Sequence, residues 1–253
     1  MTALVLALLA GALVGLALGS LGAGGSILAV PALVYLLGFS PAGATTASLI
    51  IVIATSLTAL VAHARAGAVL WRPGLLFAAA GLLPAAAAGL LSVRIPAAAL
   101  TLAFAALAVL AGLRMVRGRT PAATGGVSAK GAVSAPRAAG AGAALGAVTG
   151  FLGVGGGFLA VPALVAALAV PMSAAVGTSL LVIIANALVA LAARASTEVS
   201  LDWSLIMPFI ATAVLGAWDG KRLSAKVRPA TLQRIFGSLL LTVAAAMATG
   251  ALL

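Results

Sequence analysis

Gly15–Val34 reads GLALGSLGAGGSILAVPALV, and Gly146–Val165 reads GAVTGFLGVGGGFLAVPALV, the same passage met again 131 residues later. The register holds without a gap through Ser48-Leu49 and Ser179-Leu180, with roughly half of the positions identical. Repetition on this scale marks two structural copies. Each copy places a glycine cluster between two apolar runs, Gly22-Ala23-Gly24-Gly25-Ser26 in the first and Gly153-Val154-Gly155-Gly156-Gly157 in the second. A glycine inside a helix costs about 1 kcal/mol relative to alanine. A run of them is therefore expected to end one helix and open a short second one, ILAVPALV or FLAVPALV.

The composition decides where these helices live. Hydrophobic residues make up 64% of the 253 positions and charged residues 7%, with a mean hydropathy of +1.31. Soluble domains carry about 25% charge, so no water-facing surface can be built, which excludes a soluble enzyme and a disordered tail protein. A transmembrane barrel needs short alternating segments and a polar lumen, whereas these runs are long and rich in Ala and Leu. An all-α polytopic membrane protein remains.

Chemistry is restricted too. There is no cysteine, one histidine and three carboxylates, which removes disulfides, thiolate metal sites and a Cys nucleophile. No catalytic residue, metal or cofactor is expected. An intramembrane hydrolase would have only His63, expected to be a solvated residue at the cytoplasmic interface. The fourteen Lys and Arg that give a net charge of +11 lie between apolar runs, so loop placement accounts for them and nucleic acid is not an expected partner. The first twenty residues are apolar like a leader, but no basic residue precedes them and Gly15–Leu33 recurs inside the chain. They are read as mature structure.

Five apolar segments are expected in each half: about 3–21, 25–38, 42–63, 74–91 and 97–113, then 138–152, 157–170, 174–193, 204–220 and 233–252. The halves, 1–113 and 138–253, flank a basic, Gly/Pro/Ser-rich linker at 114–137. The second segment of each set is short enough for a half-helix or one arm of a re-entrant hairpin, so eight and ten membrane segments both remain open. In either count Arg65, Arg72, the linker, Lys221, Arg222, Lys226 and Arg228 share one side. The positive-inside rule makes that side cytoplasmic and leaves both termini outside. The halves then enter from opposite faces, as inverted-topology repeats, an arrangement typical of secondary transporters.

Each glycine turn leaves the first N–H groups of a short helix without intrahelical partners. Bare backbone and the positive end of the helix favour an anion. Gly22, Gly24, Gly25 and Ser26, with Gly153, Gly155, Gly156 and Gly157, are the candidate binding residues. Gly11, Gly15 and Gly19 read instead as helix-packing glycines. Thr45, Thr46, Ser48, Thr178, Ser179 and Asn186 add hydroxyl and amide donors, against the alternative that they bond within or between helices. Asp219 is expected to pair with Lys221 or Arg222, and Trp71, Trp203 and Trp218 to anchor segment ends at the interface.

The paired turns from Gly22 to Pro31 and Gly153 to Pro162, the patches Ala44-Thr45-Thr46-Ala47-Ser48 and Ala175-Val176-Gly177-Thr178-Ser179, and Arg65-x-Gly67-x-Val69-x-Trp71 together resemble the TauE/SafE family of sulfite exporters. Ser26 departs from the second copy's Gly157, and Ser200-Leu201-Asp202-Trp203 matches the first loop only loosely. The resemblance implies export of sulfite or an organosulfonate across the bacterial inner membrane. Its partners would be the small anion and the lipid bilayer, with a homo-oligomer open. The alternatives are a ten-span drug/metabolite-type transporter of a neutral or cationic solute and a membrane scaffold without transport.

Overall fold

The structure, a computed structural model, describes residues 2–22, 24–92, 97–117, 134–151, 157–194 and 201–252. Among them are ten α-helices and no strand: α1 Thr2–Leu21, α2 Gly24–Pro31, α3 Pro41–Arg65, α4 Trp71–Ser92, α5 Ala97–Val116, α6 Ala135–Phe151, α7 Gly157–Leu168, α8 Met172–Ala193, α9 Trp203–Lys226 and α10 Pro229–Leu252. The fold is all-α, as composition requires. Most of the linker lies outside the described residues. Helices α1, α3, α8 and α9 are long and apolar enough to cross a membrane.

Local chemistry sets the boundaries. Ser40 caps α3 by accepting from the Gly43 N–H at 3.1 Å, and Pro41 occupies the first turn, where a missing N–H costs nothing. Pro171 is itself the N-cap residue of α8, with no side-chain cap bond, and Asp202 caps α9 by accepting from the Ser204 N–H. Pro31 ends the regular part of α2, and the chain continues as a π-helical turn, Ala32–Leu36. One expectation is corrected at the end of α9. Lys221, Arg222 and Lys226 sit on its last turns rather than in a loop, leaving Trp218 two turns inside the helix. Asp219 pairs there with Arg222 at 3.5 Å on an exposed surface.

The packing is reciprocal between the two copies. Helix α1 lies along α9, and α6 along α4. A Cβ on Gly11, Gly15 or Gly19 would overlap the backbone of Phe209, Ala213 or Ala217 in turn. A Cβ on Gly142 or Gly146 would overlap Phe77 or Gly81. In both joints the contacts advance together along the two helices, so each pair runs parallel. The Gly-xxx-Gly spacing brings backbones together where lipid gives no hydrophobic drive and close van der Waals contact must supply the stability. Helices α5 and α10 meet antiparallel, with Gly112 opposite Gly237 and Leu241 while Gly237 faces Met115 and Val116. Helix α3 packs on α8 at the centre.

The turns after the short helices also match. Phe39 N–H donates to Leu33 O at 3.0 Å, and Val170 N–H to Leu164 O at 3.3 Å. The outside of the assembly is apolar: Leu9, Leu13, Leu83 and Leu215 are exposed, a surface suited to lipid.

Candidate functional site

The first glycine turn is a helix cap against a foreign helix. Gly22 has φ +80°, and its N–H donates to Leu18 O at 2.8 Å, closing the end of α1. That left-handed conformation favours glycine. A Cβ there would also come within 2.9 Å of the Ser179 hydroxyl and 3.0 Å of Val176. The glycine turn of the first copy thus rests on the Thr-Ser patch of the second. Gly24 and Gly25 with Ser26 form the first turn of α2, and Gly157 opens α7. Gly153, Gly155 and Gly156 lie outside the described residues. Helices α2 and α7 touch each other, and each also packs on the long helix that follows it, α3 and α8.

The hydroxyls are largely turned back on their own helices. Thr46 donates to Ala42 O at 3.1 Å, Ser48 to Thr45 O at 2.8 Å and Ser179 to Val176 O at 2.8 Å. Thr55 and Thr58, further along α3, do likewise. Their protons are spent on backbone carbonyls, so in this conformation they offer a guest acceptors rather than donors. Thr178 is different: fully buried, it accepts the Leu70 N–H at 3.0 Å and ties the loop before α4 to α8. Thr45 also has a partner, and Asn186 is half-buried on α8.

His63 corrects the expectation made for it. It is buried, at 2% exposure, not solvated. Its Nε2 stands 3.2 Å from the carbonyl oxygen of Gly19, so it carries the proton that satisfies one of the last carbonyls of α1. Nδ1 has no hydrogen-bond partner among the described residues, and neither does the buried hydroxyl of Ser56. The imidazole stands where α1, α3 and α8 converge, its Cβ 3.2 Å from where a Cβ on Gly177 would lie. Spacing held the signal: Ser48, Val52, Ser56, Ala59 and His63 form the buried stripe of α3 at three- and four-residue intervals. Arg65, two residues on, is exposed, and Trp71 and Trp203 are half-exposed at the starts of α4 and α9.

The family model described as "Sulfite exporter TauE/SafE" matches residues 7–247. Two proteins from different strains of Xylella fastidiosa, each called "Probable membrane transporter protein", are 36% and 35% identical to the chain over 244 residues. In both cases the match covers 95% of this chain and 93% of the relative. No solved structure matches the chain.

Proposed function

This chain belongs to the sulfite exporter TauE/SafE family and is a multi-pass membrane transporter, and we propose that its cargo is a small sulfur oxyanion, sulfite or an organosulfonate. The anion would be held by the backbone N–H groups that open α2 and α7. The observation that carries this reading is the pair of glycine-rich breaks, each followed by a short helix, with those two helices in contact. Broken backbone at membrane depth is stable only where protein or a watery cavity satisfies it. A carboxylate or lysine is not needed, because helix N-termini supply donors and partial positive charge together.

The reciprocal joints α1/α9 and α6/α4, together with the antiparallel α5/α10 pair, support inverted repeats, with the linker at 114–137 and the basic residues cytoplasmic. Such halves exchange access by moving one helix set against the other around a shared site. The glycine-lined joints are rigid, backbone-to-backbone contacts, so α1 with α9 and α6 with α4 would move as two bodies. His63 locks the end of α1 to α3 and would have to release or travel with it. The membrane is the bacterial inner membrane, and net movement is outward.

The test is flux through the purified protein in liposomes loaded with sulfite, sulfoacetate, sulfate or chloride. Sulfite or sulfoacetate should leave faster than chloride, and faster than from protein-free liposomes. Equal flux of all four, or preference for a neutral or cationic solute, would overturn the assignment.

A further inference from the structure

We infer that the groove between α5, α6 and α7 is a binding site for one anionic phospholipid, with its phosphate at Arg114 and Arg117 and an acyl chain along the walls. The groove has a volume of about 860 Å³, within the range of about 300–1,000 Å³ common for small-molecule sites. It arises because α5 packs mainly on α10 and α6 on α4, so the two diverge, and α7 floors the space between them. Its walls are apolar, from Leu107 and Leu110 on α5, Leu145 and Val148 on α6, and Leu159 and Ala166 on α7. Alanines at 111, 141, 144 and 163 leave the room. Only Arg114 and Arg117 bring charge to the lining, one turn apart at the linker end of α5.

Charge complementarity selects the occupant. Both guanidiniums are exposed and without a carboxylate among the described residues. Asp219 is paired with Arg222, and Asp202 caps α9. Arg137 stands exposed at the same end, in the first turn of α6. An apolar trough topped by unpaired arginines on the basic side of a membrane protein matches a lipid phosphate and its tail, since cytoplasmic-leaflet lipids are anionic. Guanidinium binds phosphate bidentately, which a neutral interfacial residue cannot do. A second copy of this chain would bring its own arginines to an already basic rim, and the three carboxylates of the sequence are too few to offset them.

Native mass spectrometry of the full chain with dioleoylphosphatidylglycerol and dioleoylphosphatidylcholine tests the assignment, with thermal melting as a check that each variant is folded. The wild-type protein should retain one phosphatidylglycerol in preference to phosphatidylcholine. Arg114→Gln with Arg117→Gln should weaken that binding by about tenfold or more. Ala144→Trp, which fills the trough without changing charge, should weaken it similarly, and Arg228→Gln, on the α9–α10 connection and outside the groove's lining, should not. Equal loss with Arg228→Gln, or unchanged binding in Ala144→Trp, would overturn the site in favour of diffuse attraction to basic residues. A dimer that Ala144→Trp dissociates would overturn it in favour of a second copy.

Discussion

The turn that closes the second helix of each copy has the same hydrogen bond and different residues. In the first, Gly38 takes φ +72°, and in the second Ala169 takes φ 51° at the equivalent position. A side chain in the left-handed region costs roughly 1–2 kcal/mol, so the second copy carries strain that the first avoids. The same asymmetry recurs between α3 and α8. His63 on α3 caps the end of α1, but its counterpart at the offset of 131 is the half-buried Arg194. Thr178 on α8 holds the Leu70 N–H, but its counterpart on α3 is Ala47, which has no hydroxyl. The copies share backbone geometry and helix joints, and have diverged in the side chains that fasten one end of the assembly. Backbone is what a duplicated fold must keep; fastening can be arranged once.

The joints are where equivalence should be most complete and damage greatest. Gly15→Leu and Gly146→Leu each force a side chain into the backbone of the parallel partner helix, at Ala213 or Gly81. Both should abolish folded protein, read as loss of the monodisperse peak in fluorescence-detected size-exclusion chromatography. A normal peak from either one would break the equivalence of the two joints.

Next in size are the glycine turns. Gly24→Leu and Gly155→Leu should each abolish sulfite flux while membrane insertion persists, because bulk there denies an anion the bare backbone. Gly155 lies outside the described residues, so its half of the prediction stands on the repeat register alone. Normal flux in one well-folded variant and none in the other would confine the anion to a single turn.

His63 offers a smaller, asymmetric effect. His63→Leu leaves the Gly19 carbonyl buried without its donor, a loss of about 1–3 kcal/mol, and should lower the melting temperature in detergent. His63→Gln keeps a donor and should recover most of the loss. Equal melting of the two variants would show that volume, rather than the bond to Gly19, is what the histidine supplies. Arg194→Gln should leave melting near that of the wild-type protein, marking the fastening as single.

How much of this was legible depended on whether a feature is local. Most of the segments were read within about four residues of their observed bounds, since the apolar runs are long, but the ninth stopped six residues short of Lys226 and the second ran past Pro31 into the π-helical turn. The packing role of Gly11, Gly15 and Gly19 was legible from their spacing, but not that α9 is the partner. The repeat showed where the chain breaks without showing that Gly22 would rest on Val176 and Ser179 of the other copy. That contact is tertiary and leaves no periodicity. His63 was misplaced because its neighbour Arg65 drew it towards solvent in the sequence, when the helical stripe placed them on different faces. The charged tail of α9 read as a loop because charge after an apolar run marks a membrane boundary, not a helix end.

The last prediction returns to the paired turns and needs no ligand. Nothing lies within 4 Å of where a Cβ on Gly38 would be placed, so Gly38→Ala changes conformational preference alone. Ala169→Gly reverses it in the other copy. The first should destabilise the protein and the second stabilise it, each by about 1 kcal/mol, as small opposite shifts in melting temperature. The effect on the folded turn is offset partly by the unfolded chain, where glycine has more freedom to lose, which is why the gain is set at the low end of the range. Combining Gly38→Ala with Ala169→Gly should give melting close to wild type, because the turns are distinct and their contributions add. A destabilising Ala169→Gly would mean that the alanine methyl makes contacts worth more than its strain, and the two turns would then be alike only in outline.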